Sequence, residues 1–484
     1  MARRGARWRV WLAVSGALVV LVVVAAALLR PPAAAPDRPP AFAPPPPPPP
    51  VVLPAAGGDA PAPTAAGVAA AVEELLTGSG AGTIGAAVVD AATGEPLYQR
   101  GADRPAVPAS TTKLVTAATV LATRGPAHQI PTVAVAGTEP GEVVLVGGGD
   151  PTLAVDEDGT YPGAARLDGL AAQVEEALGG APVTRVTVDA TLFAGEVYGP
   201  WDADIPHGGH VGPITALMTD GGRTDPAEGT PAARFDQPDL AAGEAFAELL
   251  GAEEVDRGTA PPPATHAATP DGAVPPGTRL GQVSSPPVVR LVDIMLSTSD
   301  NVVAEALARQ VALARGEPAS FQGAAGAMVE VLTELELPVG DSQLADGSGL
   351  SRGNRLSAAL LANLLLAVVD RPELAGVAAG LPVAGWSGTL AERYRTAGAE
   401  TGAETGAETG AETGPETGPE TGPGAGVIRA KTGTLAGVNA LAGLVETTDG
   451  RLLAFALLAN DAPPDAYLAL DRAAAALAGC GCSG

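Results

Sequence analysis

The chain has 484 residues, 46% of them hydrophobic but only 3% aromatic, and carries a formal net charge of -26. That length suits about three domains on a prior of roughly 150 residues each, with cores built mainly from Ala, Val and Leu. So acidic a balance speaks against a nucleic-acid partner, which calls for a basic footprint, and favours solubility.

Arg3, Arg4, Arg7 and Arg9 precede an uncharged stretch, residues 10–29. At about 1.5 Å per residue it reaches roughly 30 Å, the thickness of a bilayer core, and the basic flank sets the cytoplasmic side. A cleaved signal peptide has a shorter apolar region and a small-residue cleavage site. Ala33-Ala34-Ala35 could serve, but Pro36 follows it directly. Residues 1–30 therefore read as an uncleaved membrane anchor, with a cleaved signal as the alternative, and the remainder is expected outside the cytoplasm. Residues 31–64 are rich in proline and alanine, including the run 44–50, and read as an extended spacer.

The folded part is expected from residue 65. Residues 69–76 suit a helix, and 83–90 and 95–100 suit strands joined by the turn Ala91-Ala92-Thr93-Gly94. Next comes Pro108-Ala109-Ser110-Thr111-Thr112-Lys113, ahead of an apolar helical run at 114–121. Ser110 and Lys113 are three apart, so on a helix they share one face and set a nucleophile beside a base. Such spacing is common by chance, but the composition sharpens it. Of the 28 cationic residues two are lysines, Lys113 and Lys431, and the other 26 are arginines. Arginine keeps its proton near neutral pH, whereas lysine can surrender it when buried.

Residues 126–285 change character: short strands at 132–136, 142–146 and 184–188, glycine turns, and a proline-rich piece at 260–276. This reads as one or two inserted domains without a nucleophile or base of their own. His207 and His210 are read as loop residues, and Asp150 as a turn residue. Helical patterning returns over 288–315, carrying Ser299-Asp300-Asn301 with Asp300 as a helix cap. A second helix is expected over 321–335. A glycine-serine loop, Asp346-Gly347-Ser348-Gly349-Leu350-Ser351, reads equally as cleft lining or as a plain turn, and a helix is expected at 357–369. Over 397–424 an Ala/Pro-Glu-Thr-Gly tetrad repeats, and glycine at every fourth position opposes a helix, so disorder is expected there. Residues 427–433, 440–446 and 451–458 suit antiparallel strands, and 466–477 a closing helix. Cys480 and Cys482 read as a dispensable tail or an occasional intermolecular link. Strands at both ends of the folded chain around a helical middle make an α+β fold, one antiparallel sheet flanked by helices, assembled from 65–125 and 286–478.

Serine-x-x-lysine, serine-aspartate-asparagine and lysine-threonine-glycine occur here in the order used by penicillin-interacting serine acyltransferases. With Gly149-Asp150-Pro151-Thr152-Leu153, the loop at Asp346 and the segment 381–390, the chain from residue 65 to 477 resembles the D-alanyl-D-alanine carboxypeptidase/endopeptidase family of class C low-molecular-mass penicillin-binding proteins. The long gap from Lys113 to Ser299 resembles that family's insertion. A class A β-lactamase has a shorter gap and a deacylating glutamate soon after its second motif, and no matching pattern follows Asn301.

The resemblance implies a β-lactamase/transpeptidase-like fold, peptidoglycan stem peptides as substrate, β-lactams as covalent inhibitors, and no cofactor or metal. It implies Ser110 as nucleophile and Lys113 as its base, lowered by burial and by Lys431. Ser299 would relay the proton and Asn301 hold substrate and lysine. Lys431, Thr432, Gly433 and Thr434 would take the terminal carboxylate, with the N-H groups of Ser110 and Thr434 as oxyanion hole. Each motif alone has a plainer reading, as a helix cap or a strand end. The competing functions are a wall-binding protein without turnover and a β-lactamase.

Overall fold

The computed structural model describes residues 60–77, 82–264, 274–394 and 422–481. The expected anchor, most of the proline-rich spacer, most of the repeat tract and Cys482 lie outside them. Helix α1 (Ala65–Thr77) is followed by β1 (Thr83–Asp90) and β2 (Pro96–Arg100), and a single 3-10 turn at Ala109–Thr111 leads directly into α2 (Thr112–Arg124). Asp90 Oδ1 accepts the N-H groups of Ala92 and Thr93, and Gly94 has φ 73°, so the β1–β2 turn forms where its glycine placed it.

Then come β3 (Pro131–Ala136), β4 (Glu142–Val146), α3 (Leu167–Leu178), β5 (Arg185–Asp189), α4 (Pro238–Leu250), β6 (Glu254–Arg257) and β7 (Arg279–Ser284). The middle of the chain is helical: α5 (Val288–Thr298), α6 (Asn301–Arg315), α7 (Phe321–Glu334), α8 (Ala358–Asp370) and α9 (Ala375–Gly380). The chain closes with β8 (Ile428–Leu435), β9 (Val438–Glu446), β10 (Leu452–Asn460) and α10 (Tyr467–Ala478).

The main sheet has the order β2-β1-β10-β9-β8, every pair antiparallel. Strands from the two ends of the described chain meet at its centre, where Ala87 faces Ala456. Ile84, Ala86 and Val88 join Leu453, Phe455 and Leu457 in one aliphatic core with Val68, Val72, Leu470 and Leu477 of α1 and α10. Alternate residues point the other way, where α8 packs across β1 and β10. Both faces of the central strands are therefore covered, which explains their near-continuous apolar sequence. Arg451 forks onto both oxygens of Asp90, at 2.8 and 2.9 Å, and ties the β9–β10 turn to β1.

A second sheet has the order β6-β5-β4-β3-β7, with β4, β5 and β6 parallel. Parallel neighbours need crossovers, and α3 and α4 supply them. Short strands, glycine turns and a proline-rich piece were expected to dominate residues 126–285, so these helices are a correction. Leu167, Leu170, Ala171 and Val174 are buried on α3, an i, i+3, i+4, i+7 stripe that is present in the sequence. Two smaller readings also change. His207 ends a one-turn helix, Asp204–His207, rather than lying in a loop. Cys480 is no dispensable tail, since it is buried in the core under α10. Among the described residues no helix is long and apolar enough to cross a membrane.

Candidate active site

Ser110 sits in the 3-10 turn ahead of α2, half-buried, and Lys113 is the second residue of that helix and fully buried. One turn apart, they meet: Lys113 Nζ donates to Ser110 Oγ at 3.1 Å. Ala109, just before the serine, has φ 46°, a left-handed conformation that costs a non-glycine residue about 1–3 kcal/mol and persists only where its surroundings enforce it. Thr112 Oγ1 donates to the Ala109 carbonyl at 2.9 Å. Gly349 (φ 87°) passes so close that a Cβ there would stand 1.9 Å from that same oxygen.

Ser299-Asp300-Asn301 occupies the break between α5 and α6. Ser299, half-buried, takes φ 58°, and Asp300 caps α6 by accepting the N-H groups of Val302 and Val303 at 2.9 and 3.0 Å, as its sequence position implied. Its other oxygen accepts Tyr161 Oη at 2.8 Å and Arg223 Nη2 at 3.3 Å, and Arg223 Nη1 donates to Tyr161 Oη at 2.7 Å. Burial pushes the Asp300 carboxyl up, but the Arg223 charge and the cap hydrogen bonds outweigh it and hold it below the usual range. Asn301 opens α6: Oδ1 accepts Lys113 Nζ at 2.6 Å, and Nδ2 donates to the His210 carbonyl at 2.9 Å.

Lys431, Thr432, Gly433 and Thr434 lie on β8, the edge strand of the main sheet. Lys431 and Gly433 are buried, Thr432 half-buried and Thr434 exposed. A Cβ at Gly433 would stand 2.9 Å from the Pro108 carbonyl and 3.0 Å from Ser110 N, so only glycine lets the strand approach the nucleophile's turn this closely. As an edge strand, β8 leaves half its N-H groups facing away from β9. Thr432 Oγ1 lies 2.9 Å from Thr389 Oγ1, which brings the 381–390 segment to the same edge. Lys431 Nζ donates to the Thr432 carbonyl.

The two amines differ in their electrostatics. Burial lowers Lys113 to about 8, against the opposing pull of Asp346, Glu305 and Asp300. Lys431 is driven well below the ordinary range by burial, then by the charges of Lys113 and Arg393. The repulsion between the two amines is mutual and opposes their being protonated together.

The loop at Asp346 is more than cleft lining or a plain turn: the Ser348 carbonyl accepts Lys113 Nζ at 2.7 Å. Asp346 shapes that loop by accepting Gly349 N, Ser351 N, Asn354 Nδ2 and Trp201 Nε1, all within 2.8 Å. Asp150 builds a turn as read, accepting both the N-H and the hydroxyl of Thr152. The sequence reading missed Tyr161, Arg223 and Glu305. The first two lie 139 and 77 residues from Asp300, a distance no motif spans, whereas Glu305 was legible as one turn beyond Asn301. Among the described residues no cluster of His, Cys, Asp and Glu could hold a metal ion.

A model of the D-Ala-D-Ala carboxypeptidase 3 (S13) family matches residues 68–267 and 232–477. The chain belongs to that family. It is 40% identical over 430 residues to carboxypeptidase DacB of Mycolicibacterium smegmatis, covering 87% of this chain and 86% of that one. It is 30% identical over 476 residues to the D-alanyl-D-alanine carboxypeptidase of Actinomadura, covering 81% and 80%. The fold is similar to the crystal structure of penicillin-binding protein 4 from Haemophilus influenzae, with a TM-score of 0.63 at 19% identity over 84% of this chain and 97% of that one. As a family member the protein is a serine-type D-Ala-D-Ala carboxypeptidase, and the β-lactamase/transpeptidase-like α+β architecture expected of it is the one observed.

Proposed function

We propose that the protein trims peptidoglycan stem peptides through an acyl-enzyme on Ser110, and that β-lactams stop it by acylating the same oxygen. The observation that carries this reading is the contact of Ser110 Oγ with an amine that burial has lowered to about 8. A neutral Lys113 takes the hydroxyl proton as Oγ attacks the carbonyl carbon of the terminal D-Ala-D-Ala peptide bond. The N-H groups of Ser110 and Thr434 hold the developing oxyanion, a contribution of roughly 3 to 4 kcal/mol per donor in related chemistry. The proton passes through the Ser299 hydroxyl to the leaving amine, D-alanine departs, and water cleaves the Ser110 ester. Asn301 fixes the lysine and the substrate amide. Lys431, Thr432 and Thr434 receive the terminal carboxylate. The charges that lower Lys431 are both cationic, so a substrate carboxylate supplies it with an anion.

Glu305 does not take the part of a β-lactamase's deacylating glutamate. It is buried, and its oxygens are held by Gly347 N, Ser348 N and Arg309. A slowly hydrolysed acyl-enzyme is therefore expected with penicillins. The decisive experiment uses fluorescent penicillin on the purified chain. Ser110→Ala should abolish covalent labelling with its unfolding temperature nearly unchanged, and persistent labelling would overturn the assignment. Defined muropeptides, read by mass, distinguish release of a terminal D-alanine, expected here, from cutting of cross-links.

We also infer that residues 10–29 anchor the chain in the cytoplasmic membrane, with residues 65–478 outside. Four arginines ahead of an uncharged stretch of bilayer length support this. The chain should sediment with membranes and resist alkaline carbonate, and its recovery as a shortened soluble form would refute the anchor.

A further inference from the structure

Helix α6 carries more than Asn301. Glu305 and Arg309 follow at i+4 and i+8 on the same face, both about 1% exposed. Glu305 Oε1 accepts the N-H groups of Gly347 at 3.1 Å and Ser348 at 2.9 Å. The carbonyl of that same Ser348 accepts Lys113 Nζ, and the Gly347 carbonyl accepts Thr116 Oγ1, three residues past the lysine, at 2.6 Å. Behind it, Arg309 Nη1 donates to the Glu305 carbonyl at 3.0 Å and lies 3.4 Å from Oε2, and the guanidinium stands 4.1 Å from the centre of the Phe321 ring.

We propose that Glu305 is a positioning residue for the lysine base: by gripping the peptide at 347–348 it aims the Ser348 carbonyl so that this oxygen and Asn301 clamp Nζ beside Ser110 Oγ, and its negative charge acts on that amine. The inference rests on the reading of Lys113 as the base. A carboxylate is an expensive way to brace a loop in a dry interior, and burial with the nearby Asp346 already pushes Glu305 up to about 7 against Arg309 and the two N-H groups. What a carboxylate adds over a neutral acceptor is charge directed at the lysine. The charged groups around Lys113 are Asp300 at the cap of α6, Glu305 on that helix, Asp346 from the loop, and Lys431 from β8. Around Glu305 they are Arg309, Asp346 and Lys113 itself.

Glu305→Gln keeps an oxygen for both N-H groups and removes the charge, whereas Glu305→Ala removes both. Acylation by fluorescent penicillin, followed against pH on the intact chain, reads the difference. For Glu305→Gln the acid limb of the rate profile should move about one unit to lower pH, as expected when a neighbouring carboxylate is lost. Glu305→Ala should acylate about 10²-fold more slowly at every pH, the scale of a misplaced catalytic group. A Glu305→Gln profile that superposes on the parent's overturns the proposal, as does an alanine variant acylating at the parent rate. Should the alanine variant fail to fold, the glutamine profile decides alone. Lys113→Met separates the two layers: continued acylation would defeat the reading of the lysine, while a dead Lys113→Met beside an unshifted Glu305→Gln defeats only the role of Glu305.

Discussion

An amine sealed from water keeps its proton only as far as nearby anions compensate for lost hydration. Lys113 has Asp346, Glu305 and Asp300 within electrostatic reach, and burial still brings it to about 8. A base must be neutral to act, and kcat/KM reports ionisations of the free enzyme. Second-order acylation by a penicillin should therefore rise with pH through about 8 and then level off, as a single ionisation. A profile flat across that region would mean that Lys113 is not the proton acceptor. The same shift sets a stability trend. With the folded pKa near 8 and the ordinary value at 10.5, the unfolded chain binds more protons between those limits, so Lys113 makes stability rise with pH over that window. Lys113→Met should remove that part of the slope.

At the scale of elements, what the sequence disclosed follows from how far each signal reaches. The strand at 83–90, the strand at 142–146 and the start of the helix at 321 are local patterns of apolar spacing and turn residues, and they stand where they were read. The break at Ser299-Asp300 was legible as a cap. The left-handed Ser299 was not, because a serine carries no local signal for a positive φ. Gly433 could be read as part of a motif, but its physical reason, the passage of β8 within about 3 Å of the serine's turn, exists only after strands from distant sequence have paired. The helices α3 and α4 were hidden for a different reason. Glycines and short strands around them drew the pattern toward turns, although α3 shows a clear helical stripe. Tyr161 and Arg223 carry no periodic or motif signal, and their importance arises from where the second sheet brings them.

For the whole molecule the question is whether the second sheet is an attachment or a structural partner of the catalytic part. A chain of this size with two sheets could unfold in two steps. Three contacts argue against that. Tyr161 and Arg223 close on Asp300 in the interior, with the Arg223 and Asp300 side chains each under 5% exposed. The His210 carbonyl holds Asn301. Val211, Ile214 and Met218 share a buried cluster with Val302 and Leu350. Removing one member of a buried ion pair costs about 3–5 kcal/mol, because its partner stays charged without compensation. Arg223→Met should therefore destabilise the protein by about that amount and also slow penicillin acylation, since Asp300 lies between Ser299 and Asn301 in the chain. The parent should melt in a single calorimetric transition at which labelling disappears. An early transition that leaves labelling intact, or a loss below about 1 kcal/mol in Arg223→Met, would mean that the second sheet and the catalytic centre are energetically independent.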